Sequence, residues 1–126
     1  MSEYRTKPLD RALLKAELEA VCEALRKAGV TYASVSFGWD CNLDVEEMWR
    51  DQTVAVKDLC SFIASSEMTG VVVVGEGDIF IESPGFRFTL CHEGDAHVDG
   101  ESFLAQQTTD RWISLGYAPY EVLPRA

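Results

Sequence analysis

Metal-ligating and nucleophilic side chains crowd together at one place in this sequence. The run CHEGDAH holds Cys91, His92, Glu93, Asp95 and His97, and with them both histidines of the chain. Cysteine, histidine and aspartate are the ligands zinc takes, and three of them with a fourth position open is the arrangement of a catalytic site. A turn through Glu93 and Gly94 would bring His92 toward His97, with Asp95 or Cys91 as a third ligand. A metal reading therefore rests on His92, Asp95 and His97. The spacing matches no established metal signature, and as a plain hairpin the same residues would simply face water.

Two other chemistries are weaker on the same residues. Cys91 beside His92 suggests a nucleophile and its base, but neighbours along a strand project to opposite faces, and no G-x-S-x-G turn is present. The GEGD run at residues 75 to 78 has two glycines. It lacks the third glycine and the following helix that would aim N–H groups at a phosphate, so a tight turn is expected there. No catalytic residues and no cofactor are assigned.

The remaining feature is a segment in which aromatics and acids alternate: Trp39, Asp40, Asp44, Glu46, Glu47, Trp49 and Asp51. Tryptophan is favoured at the energetic centre of protein interfaces, and carboxylates speed the approach of a basic partner and fix its orientation. The competing reading puts both indoles in the core, with the acids serving solubility. Net charge is −10, from 11 basic and 21 acidic side chains. Residues 38 to 60 carry six acids against two bases and residues 76 to 101 seven against one, while both ends are near neutral. Such a surface repels nucleic acid and anionic membranes.

These observations favour a non-catalytic acidic protein-binding domain whose partner is basic. Trp39, Asp40, Asp44, Glu46, Glu47 and Trp49 would meet that partner, with Glu82, Asp95 and Asp99 on the outer face of the sheet adding steering charge. In size, charge and class the chain is similar to the immunity proteins that neutralise bacterial toxins, many of which have basic active clefts. That resemblance implies a cognate toxin or nuclease as the partner. A small metal-dependent protein is the alternative from a different class, and a homo-oligomeric scaffold is a third, so monomer and homodimer both remain open.

The elements that must position these residues follow from periodicity. Leu14, Leu18, Val21, Cys22 and Leu25 recur at helical spacing and predict a helix over residues 9 to 28, closed by Gly29. Residues 30 to 37 alternate as a strand, and residues 38 to 50 fit neither period. A second helix is expected over residues 51 to 68, capped by Asp51 and stopped by Gly70. Strands are expected at residues 71 to 74, 78 to 82, 86 to 90 and 95 to 98, separated by turn residues about every nine or ten positions. Ile79, Ile81, Phe86, Phe88, Leu90, Ala96 and Val98 would point inward, and Glu82, Arg87, Thr89, Asp95 and His97 outward. A third helix over residues 101 to 115 and an edge strand after Pro119 complete the chain.

The expected fold is α+β: a mainly antiparallel sheet, made of a four-stranded meander plus one or two further strands, with about three helices on one face. A length of 126 residues suits one domain. No apolar run is long enough to cross a bilayer and MSEYRTKPLD lacks a signal-peptide core, so a cytoplasmic location is expected. Cys22, Cys41, Cys60 and Cys91 show no CxxC spacing and read as free thiols, Cys22 and Cys60 in the core.

Overall fold

In the computed structural model, which describes residues 2 to 123, the first amphipathic stretch forms helix α1 (Arg11–Lys27). The Asp10 carboxylate accepts the Leu13 N–H at 2.9 Å, filling one of the donors that a helix start leaves open. Gly29 ends the helix in left-handed backbone at φ +80°, which lets the Val30 N–H return to the Leu25 carbonyl at 3.0 Å. The last helix, α3 (Phe103–Leu115), is bounded likewise by the Ser102 side chain and by Gly116.

Strand β2 (Tyr32–Phe37) follows α1 as expected, but the helix expected over residues 51 to 68 is shorter. Gln52–Ala55 instead form strand β3, antiparallel to β2, with Val54 opposite Ala33. A single 3-10 turn (Val56–Asp58) follows, and only Leu59–Met68 is helix α2. Thr53 and Val54 are β-branched and keep more side-chain freedom in a pleated strand than in a helix, so pairing with β2 outweighs the helical period. Asp51 consequently lies before a strand and caps nothing.

The apolar run at residues 71 to 74 is not a strand either. From the last turn of α2, Glu67 Oε2 accepts the Val74 N–H at 3.0 Å, and the Asn42 N–H reaches the Val71 carbonyl at 2.7 Å. Loop contacts thus satisfy backbone groups that a ladder would otherwise use. Val72 and Val74 are buried all the same.

Strands β4 (Ile79–Ser83), β5 (Phe86–Leu90) and β6 (Ala96–Asp99) form the meander, with three strands where four were expected. Two short strands are added from the chain ends: β1 (Glu3–Arg5), which had no predicted counterpart, and β7 (Tyr120–Val122). The α+β fold is therefore built on a seven-stranded, wholly antiparallel sheet in the order β3-β2-β4-β5-β6-β1-β7.

Residues directly opposed in antiparallel strands share a face, so the register sorts the sheet into two sides. Val35, Phe37, Ile79, Ile81, Phe88, Leu90, Ala96 and Val98 lie on one side and join Leu14, Leu18, Leu25, Leu59, Ile63 and Trp112 of the helices in a single core. The helices cover this face. Across the other run Ser36, Phe80, Thr89 and His97, and beside them Ser34, Glu82, Arg87 and Asp99. Among the described residues, no helix is long and apolar enough to cross a membrane.

Candidate functional site

The segment between β2 and β3 is irregular but firmly tied. Gly38 N–H donates to the Asp78 carbonyl at 3.1 Å, Asp78 N–H to the Trp39 carbonyl at 2.9 Å, and Trp49 N–H to the Phe37 carbonyl at 2.7 Å. Within it, Glu47 and Met48 donate to the Asp44 carbonyl. Gly38 is required here because a Cβ would stand 2.8 Å from Phe80 Cε2 and 3.0 Å from Trp49 Nε1. The glycine lets the Trp49 ring lie against the backbone.

Trp39 and Trp49 meet edge to face, with ring centroids 5.3 Å apart and planes at 86°. Neither is core: they are 60% and 45% exposed, and Asp40, Asp44, Val45, Glu46, Glu47 and Asp51 around them are exposed as well. Asp40 and Trp49 both adopt left-handed backbone, φ 61° and 60°. A bulky side chain in that region is strained by about 1 to 2 kcal/mol, and such strain persists only where neighbours hold it.

The cluster at residues 91 to 97 does not assemble as one group. The Asp78 carboxylate, buried just before β4, accepts at Oδ1 both the His92 backbone N–H and His92 Nδ1, each at 2.7 Å. That hydrogen bond, together with the charges of Asp78, Asp40 and Glu93, raises the His92 pKa against a smaller opposing effect of burial. His97 is elsewhere, on the sheet face away from the helices, with Nε2 3.1 Å from Asp95 Oδ2 and Nδ1 3.7 Å from Glu3 Oε1. His92, Asp95 and His97 therefore do not converge. Two trios form instead, Asp78–Cys91–His92 and Cys91–Asp95–His97, and they share the cysteine.

Asp95 and His97 do lie on the outer face, but they and Thr89 are buried and do not meet water as expected. Burial opposes ionisation of Asp95, yet the hydrogen bond and charge of His97 carry its pKa below the usual range. Cys91 lies beyond the end of β5, so strand alternation does not separate it from His92, and its Sγ is 3.8 Å from His92 Nδ1. The pair is still no nucleophile and base. Burial pushes the Cys91 thiol up to about 12, and Asp78 already occupies the imidazole nitrogen.

The other expected contact residues are scattered. Glu82 pairs with Arg87 at 3.1 Å, and Arg87 also stacks over the Phe80 ring at 4.6 Å. Asp99 is half-buried beyond Arg87, its pKa raised chiefly by burial. Both belong to the end of β4, β5 and β6 away from the tryptophans, because Phe37 and Ile79 adjoin the indoles while Glu82 sits three residues further along. In the GEGD turn, Glu76 and Gly77 N–H groups both go to the Val73 carbonyl, so they are not free for a phosphate.

Three arrangements escaped the sequence reading. Glu17 is completely buried between α1 and α3, accepting from Trp112 Nε1 at 2.6 Å and from the Arg111 guanidinium at 3.0 and 3.1 Å. The signal was present: Glu17 falls between Leu14, Leu18 and Val21 in the apolar stripe of α1. Glu67 gathers Arg11 at 2.7 Å and Lys15 at 3.1 Å. Cys22 and Cys60, half-buried where α1 meets α2 and not fully in the core, hold their sulfurs 3.0 Å apart. A groove of about 440 Å³ also runs between α1 and α3, lined by Ala20, Ala24, Phe103 and Arg111 among others.

Comparison of the chain with protein families, with curated proteins and with solved structures finds no match.

Proposed function

We propose that this protein is a non-catalytic binding domain that docks against a basic surface of another protein through the segment at residues 38 to 51. One observation carries the reading: Trp39 and Trp49 stand exposed and in mutual contact inside a segment that presents Asp40, Asp44, Glu46 and Glu47. Leaving two indoles in water forgoes the burial that normally places tryptophan inside, about 1.5 to 3 kcal/mol for a large apolar side chain. Strained backbone at Trp49 adds a further cost, and such costs gather where a surface is shaped for a ligand. The acids around the indoles supply attraction to a positively charged partner and little contact energy of their own.

The partner best suited to this surface is a basic toxin or nuclease, with this protein as its immunity-type inhibitor; that part rests on size, charge and class. Glu82 and Asp99 contribute at most to the long-range field, and Asp95 is too buried to touch a partner.

Affinity capture from the native host with the wild-type chain, and with a Trp39→Ala, Trp49→Ala chain beside it, tests the proposal. A specific basic protein should be retained by the first and lost by the second, and association with the purified partner should slow as salt rises. Capture indifferent to both tryptophans, association indifferent to salt, or a partner that is a second copy of this chain would overturn it.

A further inference from the structure

We infer that Cys91, Asp95 and His97 form a site for one transition-metal ion of the zinc type, a property separate from the docking surface. The three side chains each offer one ligand atom, and these atoms lie within 4.8 Å of one another. All three residues are buried. Around a tetrahedral zinc, with bonds of about 2.0 to 2.3 Å, ligand atoms stand roughly 3.3 to 3.6 Å apart. His97 Nε2 and Asp95 Oδ2, at 3.1 Å, need only open by a few tenths of an ångström, and Sγ needs to close by no more than about 1.2 to 1.5 Å. Side-chain rotation covers such movements.

Several local features point at an ion and not merely at a buried ion pair. Asp95 Oδ1 is buried with no hydrogen-bond partner, although Asp95 is only 7% exposed. The Cys91 thiol interacts with that same carboxylate, so a cation that displaced the thiol proton would sit between sulfur and carboxylate and could also take up Oδ1. Buried carboxylate oxygens are rarely left unpaired. The Glu93 N–H points at Cys91 Sγ from 3.5 Å, a donor placed to stabilise a thiolate. The turn is also fixed, since Cys91 N–H donates to the Asp95 carbonyl at 2.9 Å and Gly94 N–H to the Cys91 carbonyl at 3.0 Å.

Outside the trio, Glu3 Oε1 stands 3.7 Å from His97 Nδ1, on the ring nitrogen turned away from Asp95. A carboxylate behind a ligating imidazole sets its tautomer and orientation in metal sites. Arg5, opposite His97 in the sheet, is the nearby positive charge, and it is held by Glu3 at 2.8 Å. The thiolate and carboxylate together balance a dication. Sulfur and imidazole select zinc or a similar soft-accepting metal over magnesium or calcium. The other trio is the weaker candidate because Asp78 Oδ1 already accepts two N–H groups from His92. Since both trios need Cys91, only one ion is accommodated.

The test is titration of chelator-treated protein with Co²⁺ and then Zn²⁺, followed by absorbance. One Co²⁺ per chain should bind with a thiolate-to-metal charge-transfer band and the intense visible bands of tetrahedral cobalt, and Zn²⁺ should bleach them. The charge-transfer band should vanish in Cys91→Ser, and affinity should fall at least about tenfold in His97→Gln and in Glu3→Gln. His92→Gln, Cys22→Ser and Cys60→Ser should leave the spectrum unchanged. Circular dichroism of each variant separates lost binding from lost folding, and the wild-type titration does not depend on any variant. Folded wild-type protein that gives no thiolate–cobalt band at stoichiometric metal overturns the assignment. So does a band that survives His97→Gln but is abolished by His92→Gln or by loss of Cys22 and Cys60.

Discussion

Trp112 lies wholly inside the molecule, between α3 and α1, with its indole N–H donated to a fully buried Glu17 carboxylate. Trp39 and Trp49, at the end of the sheet, show their rings to water and find each other. The first environment has every polar group answered: Glu17 receives Trp112 and Arg111, and Arg111 reaches outward to solvent with its other side. The second is dominated by acids, and there Arg50 donates to the Glu46 and Glu47 carbonyls, each at 3.4 Å, with no salt bridge to their carboxylates among the described residues. The contrast teaches that chemical type does not decide the role of a tryptophan. Where its ring is enclosed and its N–H satisfied it stabilises the fold, and where the backbone holds it outward under strain it is available to a partner.

The contrast breaks most sharply at Glu17. Replacing it by Ala leaves the buried Trp112 N–H without its acceptor and releases Arg111 to solvent, and a loss of about 2 to 3 kcal/mol in denaturant unfolding is expected. A loss under about 1 kcal/mol would mean that the enclosed indole contributes no more to the fold than the exposed pair. Next in size, Trp49→Ala should weaken partner binding by about 2 kcal/mol or more, roughly thirtyfold in Kd, while the unfolding midpoint moves far less.

Glu67 probes the interior side from another direction. Burial opposes its charge, but the Val74 N–H, Arg11 and Lys15 together bring its pKa below the usual 4.5. Because the folded value is the lower one, the stabilisation is complete above about pH 4.5 and disappears as pH falls through the folded value. Glu67→Gln should cost about 1 to 2 kcal/mol at neutral pH, and the wild type and variant should converge as unfolding is measured at progressively lower pH.

Smaller still, Trp49→Gly relieves the left-handed backbone angle that Trp49→Ala keeps, so the glycine variant should unfold at higher denaturant than the alanine one, by about 1 kcal/mol, while both lose docking. A glycine variant no more stable than the alanine one would show that the backbone at Trp49 stores no strain. The smallest effect belongs to Glu46→Lys with Glu47→Lys: the association rate should fall, measured by stopped flow at low salt, with the unfolding midpoint unmoved.

Much of this architecture was legible in the sequence wherever a long periodic stretch met recognisable end residues. Leu14, Leu18, Val21 and Leu25 before Gly29 could be little other than a helix, and Gly116 closes the last one as plainly, while the caps at Asp10 and Ser102 emerge only in the structure. What misled was brevity. Gln52–Ala55 contributes four residues directly before a helical period, and Glu3–Arg5 only three with no alternation to read. The valines at residues 71 to 74 look like a buried strand, but the Val74 N–H goes to the Glu67 side chain and the Val71 carbonyl to Asn42, far back in the chain, contacts that strand periodicity does not reveal.

The candidate sites were legible in part. That tryptophans and acids share residues 38 to 51 is written in the sequence, whereas the exposure of the indoles depends on Gly38 letting Trp49 lie across it. For the 91 to 97 cluster the residue types were informative and the grouping was not. Asp78, fourteen positions before His92, takes that histidine away, and only the register of β1 against β6 brings Glu3 behind His97.

The placement of β1 between β6 and β7 has a consequence for how the chain is made. Tyr4 pairs with Val98 and Glu121, so the first strand emerges from the ribosome long before either neighbour exists. It must wait, and closure across so much chain is entropically slow. Three residues bearing Glu3 and Arg5 make a poor template for strangers in the meantime, since a short, charged edge resists mispairing. The last strand can dock only on an edge that its own beginning provides, which makes completion of the sheet a late event in biosynthesis.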